Sequence, residues 1–100
     1  MEIKIVMTWN IRENREPEYS EFIVNEFIPR LNRIGLRKLE FWYTSFGEIN
    51  QIHATGIAKS MSEMKVVTQS EEWESLQDML QGYVKDYTQK LIKNDGGFQI

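Results

Sequence analysis

The chain has 100 residues, 41% hydrophobic and 27% charged, with a formal net charge of -3 and a pI near 5.2, the profile of one globular domain over residues 1–100. That acidic balance, with twelve scattered Lys and Arg, excludes a basic nucleic-acid surface, and the absence of cysteine excludes disulfides, thiol nucleophiles and thiolate metal sites. No apolar run approaches the ~20 residues of a bilayer span, and the first residues enter a strand-like run without the regions of a signal peptide, so a cytoplasmic protein with no membrane partner is expected.

Ile3, Ile5, Met7, Trp9 and Ile11 alternate with Lys4, Val6, Thr8 and Asn10, the period of a strand with an apolar odd face. Asn14-Arg15-Glu16-Pro17 reads as a helix start, because proline is tolerated in the first turn. Tyr19, Phe22, Ile23, Phe27, Leu31 and Ile34 then form an amphipathic stripe that Pro29 interrupts and bends and Gly35 stops. Arg30, Arg33, Arg37 and Lys38, the densest basic group, read as a solvated helix end. A hairpin of two strands follows over 39–58. Ser60-Met61-Ser62-Glu63 is a capping-box pattern, and Ser70 is a second N-cap ahead of Glu71-Glu72. Trp73, Leu76, Leu80, Tyr83, Tyr87 and Leu91 keep the helical step and predict a helix over 71–93, roughly 34 Å long, kinked at Gly82 or overhanging the sheet. Gly96-Gly97 then releases a last strand at 98–100. The order is βαββαβ: an α+β, ferredoxin-like domain, a four-stranded antiparallel sheet with two main helices on one face.

The hairpin has two unlike faces. Pairing Phe46 with Gln51 across Gly47-Glu48-Ile49-Asn50 puts Leu39, Phe41, Tyr43 and Ser45 with Ile52, Ala54, Gly56 and Ala58. The other face gathers Glu40, Trp42, Thr44, Phe46, Gln51, His53, Thr55 and Ile57. The first set is small and apolar, suited to helices. The second, joined by Val6 and Thr8, makes an uncovered patch of roughly 300 Å², an extent that marks an interface or ligand groove when it holds Trp42 and Phe46. A register shifted by one would mix the faces, so the segregated one is preferred.

The order of elements, the aromatic strand Phe41-Trp42-Tyr43, and Ser70-Glu71-Glu72-Trp73 leading to Tyr83-Val84-Lys85-Asp86-Tyr87 resemble the dimeric α/β-barrel superfamily, nearest to its NIPSNAP-like group. The resemblance spans essentially the whole chain. It implies a homodimer in which two open sheet faces enclose a barrel. Members of that superfamily include cofactor-free oxygenases of quinone-like substrates, haem-degrading enzymes, chlorite dismutase-type proteins and many proteins of unknown activity. Haem-binding relatives use a helical histidine, whereas His53 falls on a strand, so no cofactor is expected.

His53, the only histidine, is the sharpest chemical candidate. In the preferred register Thr44 lies opposite it, with Trp42 and Thr55 diagonal. An aromatic substrate stacked on Trp42 would offer a phenolic proton to its imidazole; alternatively, His53 hydrogen-bonds within a dimer interface. Asn10 could orient an oxygen or simply end its strand, and Glu40 could act as a base or pair with Lys4. Trp9, Trp73, Tyr83 and Tyr87 read as packing. One histidine, no cysteine and no carboxylate ligand loop leave no recognisable metal site, and the glycines form no phosphate loop. Two functions remain open. One is a homodimer binding a small aromatic or apolar molecule between sheet and helices, in enzymatic form a cofactor-independent oxygenase or isomerase with His53 as base, Trp42 as platform and Thr44 or Asn10 as donors. The other is a non-catalytic dimerisation or interaction module.

Overall fold

Strict alternation builds β1 (Ile3–Ile11), whose residues 3, 5, 7 and 9 are buried in the computed structural model, which describes residues 1–44 and 51–94. Asn14 turns the chain with a left-handed φ of 65°, and α1 (Glu16–Phe22) starts on Pro17 in its first turn. The interruption at Pro29 is taken up by a π segment, Ile23–Phe27, leading into α2 (Ile28–Ile34). A proline has no amide to give the carbonyl four residues back. The turn before it widens instead, with the Ile28 amide bonded to the Ile23 carbonyl five residues earlier. Gly35, at φ 123°, ends the helix, and the Leu36 amide returns to the Leu31 carbonyl at 3.0 Å.

Strands β2 (Arg37–Tyr43) and β3 (Ile52–Ala58) pair antiparallel. The sorting of faces expected from the sequence is observed: Ile52, Ala54 and Ala58 are buried in the core, with Leu39 and Phe41 packed against it. The pairing itself differs by two residues. Trp42 stands opposite His53 and Glu40 opposite Thr55. A shift of two preserves parity, so every side chain keeps its face while its neighbour changes. An irregularity between Arg37 and Glu40 accompanies it, with Lys38 at φ 53°. Ser45, Phe46 and the turn at 47–50 lie outside the described residues.

Ser60 caps α3 (Met61–Thr68) by accepting from the Glu63 amide at 3.2 Å, and Ser70 caps α4 (Glu71–Gln81) by accepting from the Trp73 amide at 3.1 Å. The helix expected over 71–93 stops at Gly82. Residues Val84–Lys93 form β4 instead, antiparallel to β1. The physical reason is a degeneracy. Tyr83, Tyr87 and Leu91 recur every four residues, and a step of four returns to the same face in a strand as well as in a helix. Pairing with β1 decides it, at the cost of a bulge between Thr8 and Asn10 where Asp86 takes φ 59°. The strand expected at 98–100 lies outside the described residues.

The sheet order is β2-β3-β1-β4, all neighbours antiparallel. One face is covered. At its centre Trp9 is fully buried, meets Phe27 and Phe41 edge-on and stacks on Tyr87 with 6.0 Å between ring centroids. Gly56 lets Leu39 pack close there, because a Cβ would come within 2.8 Å of Leu39 Cδ2 and make that side chain shift. Among the described residues, no helix lies against the other face.

Candidate functional site

Direct cross-strand pairs share a face, so the registers order the open face into rows. One row reads Trp42, His53, Thr8, Thr88 from β2 to β4; the next reads Glu40, Thr55, Val6, Lys90; a third reaches Ile57, Lys4 and Ile92. Trp42 is 49% exposed and Ile92 40%, whereas Thr55 and Ile57, on the inner strand β3, are buried. Beside His53 a cleft of about 260 Å³ opens toward β4, lined by Val6, Thr8, His53, Thr88, Gln89 and Lys90. The Thr8 and Thr88 hydroxyls are hydrogen-bonded to each other. The Nε2 atom of His53 is buried and finds no hydrogen-bond partner among the described residues, a state native structures seldom tolerate without a use.

The candidate residues divide. Trp42 and His53 are direct neighbours, closer than the sequence reading placed them. Thr44 is not opposite His53; its amide donates to the Gln51 carbonyl at 2.7 Å, at the mouth of the hairpin. Asn10 holds the sheet together, its Nδ2 donating to Asp86 Oδ2 at 3.0 Å and its Oδ1 accepting from the Gln51 amide at 2.8 Å. Glu40 does not reach Lys4, because β3 runs between their strands. Thr88 and Lys90 were missed, since their segment was read as helix. Their signal was the β-branched and aromatic content of Val84, Tyr87, Thr88 and Ile92.

A second cleft lies on the covered side, between the first helical run and edge strand β2. It holds about 300 Å³ and is lined chiefly by Tyr19, Ile23, Ile28, Phe41, Tyr43 and Ile52, with Trp42 at its rim. The rare π segment forms part of its wall, and such segments occur often at functional sites. Its lining includes Tyr19, whose hydroxyl accepts from Trp9 Nε1 at 3.0 Å and keeps its own proton for another partner. Burial pushes the Tyr19 phenol up to about 12, so it stays protonated at neutral pH.

The basic group at the end of α2 is held by carboxylates. Arg30 bridges Glu72 at 2.6 Å and Glu26 at 3.0 Å, Arg33 reaches Glu72, and Arg37 pairs with Glu2 at 3.0 Å. The Arg30 hydrogen bond holds the Glu72 carboxyl below its ordinary range. Among the described residues no three metal-ligating side chains stand together, and no helix is long and apolar enough to cross a membrane.

No family model and no curated protein sequence matches the chain. Solved structures do. A NIPSNAP family protein from Agrobacterium tumefaciens superposes with a TM-score of 0.68 at 16% identity, over 96% of each chain. SnoaB, a cofactor-independent oxygenase from Streptomyces nogalater, gives 0.77 at 9% identity over 97% of this chain and 96% of its own. A dimeric protein of unknown function and ferredoxin-like fold from Bacteroides fragilis gives 0.64 at 14% identity over 93% and 96%. At these identities the likeness is one of fold: the chain has the ferredoxin-like α+β fold of the NIPSNAP-like group, as the resemblance implied.

Proposed function

We propose that residues 1–100 form one domain that pairs with a second copy through its open sheet face and binds a small aromatic or otherwise apolar molecule between the sheet and the first helical run. The apolar cleft beside the π segment carries this reading: its volume of about 300 Å³ suits a compact ring system, and the Tyr19 hydroxyl in its wall can fix orientation. Support for pairing comes from Trp42 and Ile92 exposed on a face no helix covers, and from the dimeric neighbour of the same fold. Light scattering should return about twice the 11.9 kDa chain mass, and a monomer at micromolar concentration overturns the pairing. Thermal-shift titration with 2-naphthol should raise the melting temperature, and Ile28→Trp, which fills the cleft, should remove that shift. A shift unaffected by Ile28→Trp places the ligand elsewhere.

A catalytic reading, a cofactor-independent oxygenase or isomerase whose substrate sits on the open face and not in the apolar cleft, is favoured by one juxtaposition. A ring stacked on Trp42 would set its hydroxyl beside the His53 imidazole, which serves as the base. SnoaB, of the same fold, is such an oxygenase. Beyond Trp42 and His53, Glu40 lies on edge strand β2 and Thr55 is buried beside it, whereas Asn10 and Thr44 take structural bonds. Oxygen uptake with a naphthohydroquinone, present in the wild type and lost in His53→Ala, tests it; no uptake leaves the dimeric interaction module.

A further inference from the structure

The charges on the open face do not balance. Arg37 is paired with Glu2, and at the β4 bulge the positive Lys85 adjoins the negative Asp86 in the chain. Beyond these the face presents Lys4 and Lys90 against one carboxylate, Glu40. Among the described residues neither lysine has a carboxylate within ion-pair distance. Glu40 and Lys90 occupy opposite edges of one row, separated by Thr55 and Val6. Three strand spacings, roughly 14 Å, keep them apart.

Among the described residues, covering this face with a second copy therefore leaves Lys4 and Lys90 facing a single carboxylate per protomer, Glu40. An uncompensated charge taken out of water is costly, and a bound counter-charge removes the cost. The space for one exists: Lys90 lines the 260 Å³ cleft that also contains His53 and Thr88. Its walls combine a cation, an imidazole whose Nε2 lacks a partner, a hydroxyl and the apolar Val6, a set that complements an anion carried on a hydrophobic body.

We propose that this cleft binds an anionic group, a carboxylate or phenolate borne on an aromatic or apolar small molecule, with the Lys90 ammonium as its counter-ion and His53 and Thr88 as flanking hydrogen-bonding groups. It is a second ligand site, on the opposite side of the sheet from the apolar cleft, and it rests on the dimer reading for its demand for negative charge.

Calorimetric titration at low ionic strength with 2-naphthoate and with 2-naphthamide tests the proposal, because the two share a ring system and differ in charge. The naphthoate should bind about tenfold more tightly or better, the scale of one charge-assisted hydrogen bond. Lys90→Gln should erase the preference and added salt should shrink it. Lys65→Gln, on the exposed side of α3, and Ile28→Trp in the apolar cleft should each leave it in place. Equal binding of the two probes, or a preference that survives Lys90→Gln, overturns the site. Light scattering on the same samples separates the two ideas. A dimer without the preference overturns the anion site alone, a monomer without it overturns both, and a monomer that keeps it supports the site and overturns the dimer.

Discussion

Trp9 and Trp42 lie two strands apart on opposite faces of one sheet, and their fates differ completely. Trp9 is sealed from solvent, its indole nitrogen bonded to Tyr19 and its ring wedged among Phe27, Phe41 and Tyr87. Trp42 is 49% exposed, with His53 across from it and, among the described residues, no helix above it. The same side chain is structural on one face and available on the other. Apolar area left over after folding, more than residue type, points to where a partner or ligand binds. The two clefts repeat the contrast: the one on the covered side is mostly apolar with hydroxyls as its polar groups, and the one on the open side holds the imidazole and an ammonium.

The largest effect that separates the faces is on the fold itself. Trp9→Ala should cost about 3–5 kcal/mol in urea unfolding, a large part of the roughly 5–15 kcal/mol a domain possesses. A loss no bigger than a surface substitution gives would mean the covered face is misassigned. Trp42→Ala should leave the far-ultraviolet spectrum intact and weaken pairing by about 2 kcal/mol, about 30-fold in dissociation constant on dilution; no change in pairing would remove Trp42 from the interface.

Tyr19→Phe tests the polar end of the covered side. It strands Trp9 Nε1 without an acceptor, a loss of about 1–3 kcal/mol. It should also alter alkaline unfolding. The Tyr19 phenol sits at about 12 in the folded chain against an ordinary 10, so its contribution is complete below pH 10 and lost as pH rises through about 12. Tyr87, raised by burial as well, leaves a residual slope in the variant. A pH profile identical to the wild type would place Tyr19 in contact with water.

Smaller still, Ser70→Ala should cost about 1 kcal/mol through the lost cap of α4 while leaving pairing and both clefts alone. Glu72→Gln should lower stability at neutral pH and converge with the wild type in acid. Its carboxyl is held below the ordinary value by Arg30, so its contribution is present above that value and lost as pH falls through the depressed one. A flat acid limb shared by both proteins would make the Arg30 pair inert.

What could be read in advance was local. Parity assigned Trp42, His53, Thr55 and Glu40 to one face before any pairing was known, and the caps at Ser60 and Ser70 followed from side-chain reach of three residues. The candidate site was therefore half legible: its face was right, its neighbours were not. Thr44 moved from His53 to Gln51, and Asn10 proved committed to Gln51 and Asp86, because partners come from other strands. Thr88 and Lys90 stayed hidden behind a four-residue spacing that helix and strand share.

The chain by itself thus determined the order up to the helix that begins at Glu71, and the side of the sheet each described hairpin residue takes, since alternation and capping are set within a few neighbouring residues. Tertiary structure alone decided that Trp42 faces His53, that β4 begins at Val84 directly after α4, and that Lys90 joins His53 at one cleft. Each of those depends on hydrogen-bond ladders between segments distant in sequence, and a ladder's register is chosen by packing across the whole sheet.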